Sequence, residues 1–200
     1  MNLLMRGSIN AARSIVGAGL LLCTLPWFDT FVSAEERTKL FSSDGYRIAN
    51  FRSPVPDSFP AGVTVTTPQV QSLLQDPDVV PIDVLPAPVK PRNRPPGLLW
   101  LPPTRYNIPG SAWLPNVGFG ALSRELEHYF IMNLEKLSAG DKSRKIIIYC
   151  LADCWMSWNA AKRAASFGYT RVYWYPDGTS GWETAGLPVE KSDPVPQNNP

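Results

Sequence analysis

The chain has 200 residues, of which 44% are hydrophobic and 18% are charged, so its length and composition suit one globular domain with additional segments. Its 19 basic and 17 acidic residues give a net charge of +2 and are spread along the chain without a long run of one sign. This distribution argues against a nucleic-acid partner, which requires a basic patch. The 21 prolines predict long, extended connections between the ordered elements.

The first residues have the pattern of an export signal. Arg6 and Arg13 supply a positive start, residues 14–26 are mostly apolar, and small residues precede Glu35. We therefore predict a signal peptide that is cleaved after Ala34, and a periplasmic mature protein. A proline and an aspartate interrupt the apolar stretch before it reaches the about 20 residues of a membrane span, so no membrane span is expected after cleavage.

The next segments predict an arm followed by the start of a domain. Residues 35–61 are polar, with scattered aromatics and prolines, and lack a helical or strand period, so we expect an N-terminal arm packed along the domain. Residues 62–67 favour a strand. A short helix is predicted from Thr67 and Pro68, because proline suits the first helical position. A buried strand is predicted within residues 78–85.

Two later segments lack a regular pattern. Residues 86–103 hold seven prolines and two arginines and predict a stiff, Pro-rich insertion whose role is undetermined. Residues 191–200 predict a flexible C-terminal tail. The ordered domain is accordingly predicted over residues 62–190, with the insertion inside it.

The remaining elements alternate between helices and strands. Ser123 is the expected N-cap of a helix that ends near Gly140. The β-branched run of residues 144–150 is typical of a central parallel strand, and it is followed by a helix that ends at Gly168 and by a strand at residues 171–176. This alternation predicts the α/β class, as a single domain with a central, mostly parallel sheet and helices on both faces.

The candidate functional residues are the two cysteines that remain after cleavage, Cys150 and Cys154. Cys150 ends a predicted central strand, and the next helix is predicted to begin near Met156 or Ser157. A cysteine beside a helix N-terminus is favoured as a thiolate, which is the nucleophilic form. Two cysteines in an exported protein also predict a disulfide. An active thiol pair and a permanent disulfide are both carried forward.

Several motifs in this region resemble the rhodanese family. The segments IIIYC and WNAAKRAASFGYTRVYWYPDGTSGWETAGLPV match its strand, cysteine loop, Ala-Ala helix and closing Gly-Leu-Pro-Val. NIPGSAWLP is similar to the family's His-Ile-Pro-Gly-Ala segment, with Asn107 in place of the histidine, and Asp83 lies where the family has an Asp-Val-Arg strand end. The resemblance covers roughly residues 62–190 and implies a rhodanese-like fold.

A closer resemblance is to exported rhodanese-like proteins with a CxxxCW motif that are associated with pyrroloquinoline-quinone (PQQ)-dependent alcohol catabolism. Cys150, Cys154 and Trp155 supply that motif. The resemblance implies that Cys150 is the nucleophile that takes a sulfane sulfur. Because two thiols four positions apart on a tight loop can approach the distance that a disulfide requires, Cys154 is predicted as its resolving partner. The implied partners are a periplasmic quinoprotein dehydrogenase or a thiol reductant. The implied substrate- or cofactor-binding loop comprises Leu151, Ala152, Asp153, Trp155, Met156 and Ser157.

The loop departs from the family pattern in its charges. A rhodanese loop commonly closes with an arginine, whereas LADCWM contains no basic residue and includes Asp153. A carboxylate disfavours both a thiolate and an anionic donor. The departure shifts the expectation from simple thiosulfate sulfurtransfer to a paired-thiol site, and whether the protein is an enzyme stays open.

The alternative function is that of a non-catalytic accessory protein, which binds a redox cofactor, a metal or a partner dehydrogenase through the CxxxCW loop and nearby tryptophans. Thiol chemistry itself requires no cofactor, and a thiolate pair favours soft metal ions. The sequence assigns no metal site, because His128 is the only histidine and lies in the middle of a predicted helix. Lys162 and Arg163 are predicted to be solvated.

Overall fold

The computed structural model describes residues 38–93, 95 and 97–197. The predicted signal peptide and its cleavage after Ala34 lie outside these residues. No helix within the described ranges is long and apolar enough to cross a membrane.

The described chain contains strands and helices in alternation. In chain order they are β1 (Val63–Thr64), α1 (Thr67–Leu73), β2 (Val80–Asp83), β3 (Arg105–Asn107), β4 (Ala112–Trp113), α2 (Arg124–Ser138), β5 (Ile146–Tyr149), α3 (Trp155–Ser166), β6 (Val172–Tyr175), α4 (Gly178–Thr184) and β7 (Glu190–Ser192). The long helices and the central strands lie where the sequence predicts them.

Five of the strands form one parallel sheet in the order β1-β6-β5-β2-β4. Strand β5 is central, and its Ile148 lies between Ile82 of β2 and Trp174 of β6. All four residues of β5 are buried, as the continuous apolar run predicts for a strand that is covered on both faces. The predicted α/β class with a parallel sheet is confirmed.

Helices cover both faces of this sheet, because successive side chains of a strand point to opposite sides. Ile146 and Ile148 belong to a core that includes residues of α2 and α3. Ile147 and Tyr149 belong to the second core, together with Val70 of α1 and residues of α4. The central strand thus carries two hydrophobic cores, and its carboxyl end emerges between them.

Helix α2 begins and ends where its capping residues predict. The Ser123 side chain accepts a hydrogen bond from the backbone N–H of Leu126, as predicted for an N-cap. At the other end Ala139 adopts the left-handed conformation with φ +53°, and the backbone N–H of Gly140 donates to the carbonyl of Glu135 at 2.8 Å. The helix therefore ends at the predicted place.

The C-terminal segment differs from its prediction. Strand β7 pairs antiparallel with β3, and the backbone N–H of Val195 donates to the carbonyl of Trp113 at 2.9 Å. The predicted start of a flexible tail at residue 191 is too early, because the backbone beyond it forms hydrogen bonds with the domain. A strand of two or three residues is too short to show the alternation of apolar and polar residues by which strands are recognised.

The described part of the Pro-rich insertion, residues 86–93, 95 and 97–103, contains no helix or strand. Its Val89, Leu99 and Leu101 side chains are largely exposed. The insertion is thus an extended excursion between β2 and β3, as its prolines predict.

Candidate thiol site

The two cysteines lie where strand β5 leaves the sheet and helix α3 begins. Cys150 directly follows the last residue of β5, and Cys154 is the N-cap of α3. The neighbouring strand β2 ends at Asp83, opposite Tyr149. In parallel α/β sheets this edge, at the carboxyl ends of the strands, is where ligands bind. The fold therefore brings both predicted thiols and a carboxylate to the edge of the sheet that is suited to function.

The sulfurs of the two cysteines are in direct contact. Cys150 Sγ donates a hydrogen bond to Cys154 Sγ over 2.9 Å. Both thiols are free, and the two residues expose only 0% and 2% of their surfaces. Since a disulfide bond is about 2.05 Å long, a small closing movement would convert this contact into a covalent bond. The geometry suits reversible oxidation.

The surroundings of the two sulfurs favour opposite protonation states. Burial raises the pKa of Cys150 well above its ordinary value, and the negative charges of Cys154 and Asp83 act in the same direction. The pKa of Cys154 is instead lowered to about 6, first by the hydrogen bond from Cys150 and against the effect of burial. The backbone N–H of Met156 and the guanidinium of Arg52 lower it further. These surroundings favour the thiolate on Cys154, whereas the family resemblance assigns the nucleophile to Cys150.

The cation beside Cys154 comes from the N-terminal arm. Arg52 pairs with Cys154 in an isolated antiparallel bridge. Two backbone hydrogen bonds flank this bridge and join the arm to the loop: Ser53 N–H to the Asp153 carbonyl (3.1 Å) and Trp155 N–H to the Phe51 carbonyl (2.9 Å). The loop LADCWM itself contains no basic residue, and the fold supplies one from the arm. No local pattern could have identified Arg52, because the arm has no periodicity and lies far from the loop in sequence.

A buried ion pair lies behind Cys150. Asp83 Oδ2 accepts a hydrogen bond from Arg105 Nε at 2.7 Å, and the two side chains are 0% and 11% exposed. Burial raises the pKa of Asp83, while the Arg105 charge opposes that rise. Arg105 also donates to Thr179 Oγ1 at 2.6 Å, and Thr179 in turn donates to the Cys150 carbonyl. This chain of contacts fixes the backbone from which Cys150 projects.

The first half of the loop is held by helix α4. Leu151 forms an isolated bridge with Gly178, and the backbone N–H of Ala152 donates to Ser180 Oγ at 3.3 Å. Asp153 is exposed and has a positive φ of 50°. Its carboxylate lies in water, where solvent screens its charge. The repulsion of a thiolate that the sequence predicts from Asp153 is correspondingly weak.

The second half of the predicted loop belongs largely to the core. Met156 is 6% exposed and Ser157 is fully buried, and Ser157 Oγ accepts a hydrogen bond from Trp174 Nε1 at 3.0 Å. Both residues occupy the inward side of the first turn of α3. Their role in binding a substrate or cofactor stays a prediction, and the third residue, Trp155, is half-buried beside the loop.

An apolar groove of about 830 Å³ lies next to Trp155. Trp158 and Phe41 also line it. The guanidinium of Arg47 lies 5.0 Å from the ring centroids of both Phe41 and Trp155, an arrangement that stabilises a cation over aromatic faces. The tryptophans of the motif region thus border an aromatic groove, and the buried Arg47 packs against Trp155.

The two basic residues of α3 differ from their prediction. Arg163 is only 5% exposed and donates hydrogen bonds to three backbone carbonyls, those of Val117, Phe119 and Gly120. Lys162 donates to the carbonyl of Asp44 in the arm. Neither side chain is simply solvated, because the arm and the segment before α2 fold over this side of α3.

Two polar residues named in the sequence analysis, Asn107 and His128, lie outside the thiol loop. Asn107, at the position of the family's histidine, is fully buried, and neither polar atom of its side chain has a hydrogen-bond partner in the structure. His128 is exposed on α2. Across the described ranges, no group of three or more His, Cys, Asp or Glu side chains is placed to hold a metal ion.

Comparison with known protein families identifies the family of this fold. Residues 66–185 match the rhodanese-like domain. The chain belongs to the rhodanese-like family. The matched segment runs from the start of α1 to the end of α4 and contains the thiol pair, Asp83 and Arg105. No curated protein sequence matches this rhodanese-like protein with significance.

Solved structures similar to this rhodanese-like protein include three sulfur-transfer proteins. A thiosulfate sulfurtransferase from Pseudomonas aeruginosa is 16% identical, and the match covers 66% of this chain and 21% of that chain, with a TM-score of 0.45. A polysulfide-sulfur transferase homodimer from Wolinella succinogenes is 19% identical over 66% and 80% of the chains, with a TM-score of 0.42. A 3-mercaptopyruvate sulfotransferase from Escherichia coli is 19% identical over 68% and 53%, with a TM-score of 0.48. This chain thus spans about a fifth of the Pseudomonas protein.

Proposed function

We propose that this rhodanese-like protein is exported to the periplasm, where the Cys150–Cys154 pair carries sulfur or redox equivalents in service of PQQ-dependent alcohol oxidation. The observation that carries the proposal is the contact of two free, buried sulfurs over 2.9 Å at the end of the central strand. A thiolate can take a sulfane sulfur or attack a disulfide, and a second thiol in contact can resolve the product. The pair thus has the two groups that such a cycle needs.

A cycling pair accounts for the geometry better than a permanent disulfide. Only three residues separate the cysteines, and closing so short a loop restricts the unfolded chain little. The surrounding segment is already held by the arm, by α4 and by the buried Asp83–Arg105 pair. A covalent link would therefore add little stability, whereas a low pKa for Cys154 serves reactivity.

The link to quinoprotein dehydrogenases rests on the CxxxCW motif formed by Cys150, Cys154 and Trp155. The aromatic groove beside Trp155 provides a surface where a partner could approach the thiols. The proposed partners are a periplasmic quinoprotein dehydrogenase and a thiol reductant that returns the pair to the dithiol state.

The thiol chemistry is tested on the protein that starts at Glu35, with reversible alkylation and intact mass. We expect mild oxidants to form the Cys150–Cys154 disulfide and dithiothreitol to reverse it. Incubation with polysulfide or thiosulfate should produce a sulfur adduct that the Cys150→Ser/Cys154→Ser variant lacks. A disulfide that native protein never releases, or the same adduct on the double variant, would contradict the proposal.

Localisation and partner are tested separately. Periplasmic fractions should contain a protein whose first residue is Glu35; retention in the cytoplasm with an intact N-terminus would refute export. The reduced protein is then mixed with a purified PQQ-dependent alcohol dehydrogenase, with the double cysteine variant as control. A change in dehydrogenase activity or thiol state that needs both cysteines is expected, and no difference from the control would refute this partner.

The groove favours one second candidate, a non-catalytic accessory that binds a redox cofactor through Trp155 and Trp158. Both indoles line the groove, so PQQ bound there should quench tryptophan fluorescence at a stoichiometric ratio. Trp155→Phe should weaken the quenching, while the Cys150→Ser/Cys154→Ser variant should retain it. Quenching that is unaffected by Trp155→Phe would exclude this groove, and a parallel titration with Cu(I) or Zn²⁺ tests the metal form of the same candidate.

A further inference from the structure

The two sulfurs have different charged neighbours. Asp83 ends β2 opposite Tyr149, the residue before Cys150, and its charge is among the causes that raise the pKa of Cys150. The backbone of Cys154 instead forms an antiparallel bridge with that of Arg52 in the arm, which places the two side chains on the same side, and the Arg52 guanidinium is among the causes that lower the pKa of Cys154. Because a negative neighbour disfavours a thiolate and a positive neighbour favours it, the surroundings give the two chemically identical groups different roles.

We propose that Cys154 is the attacking thiolate of the pair, that Arg52 is the positioning residue that keeps it ionised, and that Cys150 releases the acquired sulfur as sulfide. This inference rests on the proposed thiol function and deepens it. It assigns as substrate a small anionic sulfane-sulfur compound, such as a persulfide or inorganic polysulfide. The exposed Arg52 side chain provides the cation that would meet such an anion.

In the first step the Cys154 thiolate attacks the outer sulfur of a donor R–S–SH. A bond forms between Cys154 Sγ and that sulfur, the S–S bond of the donor breaks, and its electron pair leaves on R–S⁻. The product is Cys154–S–SH. This step moves a sulfur atom without net oxidation of the protein.

In the second step the Cys150 thiol attacks Cys154 Sγ. The Cys150–Cys154 disulfide forms, the persulfide bond breaks, and the proton of Cys150 leaves with the sulfur as H₂S. The pair is oxidised by two electrons and the sulfane sulfur is reduced to sulfide. A dithiol reductant then reduces the disulfide and is itself oxidised to a disulfide, which closes the cycle.

The packing supports this order of events. Cys150 donates its proton toward Cys154, and Cys154 lies at the N-cap of α3 beside the arm, so Cys150 is positioned as the second thiol of the pair. The arm that carries Arg52 is held to the loop by backbone hydrogen bonds on both sides of the bridge. Arg52 therefore has a defined place relative to Cys154, although its side chain is exposed.

The assignment is tested by the pH dependence of iodoacetamide alkylation, with peptide mapping to identify the modified cysteine. In the wild-type protein Cys154 should be alkylated first, with a midpoint at about pH 6. Arg52→Gln should raise the midpoint by about 1 pH unit or more, which lowers the rate at pH 6 about five-fold. Arg52→Lys should retain most of the rate, because it keeps the positive charge.

The matched control is Arg144→Gln. Arg144 precedes β5 and pairs with Asp78, so it lies at the opposite end of the strand from the thiols, and its loss should leave the alkylation profile unchanged. If Arg52→Gln has the wild-type midpoint while its circular dichroism is native, or if Arg144→Gln shifts the midpoint equally, the role of Arg52 is refuted.

The order of attack is tested with an organic persulfide R–S–SH and the single cysteine variants, because this donor leaves as R–S⁻ in the first step and sulfide then reports only the second step. Cys150→Ser should accumulate a persulfide on Cys154 and release no sulfide beyond the buffer control, whereas Cys154→Ser should do neither. A persulfide on Cys150 in the Cys154→Ser variant would overturn this inference and leave the proposed function standing. If none of the proteins, wild type included, acquires sulfur or forms the reversible disulfide, the proposed function itself fails.

Discussion

Substitution of Arg105 should expose the cost of an unpaired buried carboxylate behind the thiol pair. Asp83 is fully buried and Arg105 is 11% exposed, with 2.7 Å between Nε and Oδ2. Removing one member of a buried pair typically costs about 3–5 kcal/mol, because the remaining charge is left without compensation. We expect Arg105→Met to lose about that much free energy of unfolding at pH 7.

The loss should also depend on pH in a defined direction. Burial already raises the pKa of Asp83, and only the charge and hydrogen bonds around it oppose that rise. Without Arg105 the folded-state pKa rises further, while the unfolded carboxyl titrates at about 3.9. Below that value both states are protonated and the penalty is small. Above the pKa of the unfolded carboxyl, the unfolded state releases a proton that the folded state retains. The free energy of unfolding therefore falls by up to about 1.4 kcal/mol per pH unit until the pH reaches the pKa of Asp83 in the folded variant.

Urea unfolding of the reduced protein between pH 4 and pH 8 measures both effects. The control is Asp83→Leu/Arg105→Met, in which no buried charge remains; it should recover much of the loss and show no added pH slope. If Arg105→Met unfolds at the wild-type urea midpoint at pH 7 with an unchanged pH slope, the pair does not act as described. Asp83→Leu should in addition lower the pKa of Cys150, since Asp83 is one of the charges that raise it.

Two further predictions concern the segments that hold the loop. Gly178 has φ +52°, and a Cβ there would meet the Cys150 carbonyl, so Gly178→Ala should lower the free energy of unfolding by about 2–5 kcal/mol. Gly110 has φ +77° but lies in open space, so Gly110→Ala should lower it by only about 1–2 kcal/mol. Equal losses of Tm in the two variants would contradict the close approach. The Asn159 side chain accepts a hydrogen bond from the Arg47 N–H at 2.9 Å and donates one to the Arg47 carbonyl at 2.8 Å. Asn159→Ala should therefore lower the free energy of unfolding by about 1–3 kcal/mol and speed tryptic cleavage of the arm. Unchanged protection of the arm would show that other contacts hold it.

Local sequence signals were sufficient for the framework of the molecule. The apolar run of β5, the Ser123 cap and the helical pattern of α3 are each recognisable within a short stretch of sequence, and the corresponding elements are present in the structure. Because the alternation of such elements restricts the possible topologies, the parallel sheet and the place of Cys150 at its edge could be predicted. The same reasoning could not identify β3, β4 or β7, which are too short to show a period.

The chemistry of the thiol pair depended on contacts that no local pattern contains. The sequence by itself determined that Cys150 and Cys154 would share a loop between a strand and a helix. Only the tertiary structure brought Arg52 of the arm to Cys154 and Asp83 close enough for its charge to act on Cys150. Protonation depends on charge and burial over a few ångströms, and residues far apart in sequence supply both, so the fold decides which of the two sulfurs is the thiolate.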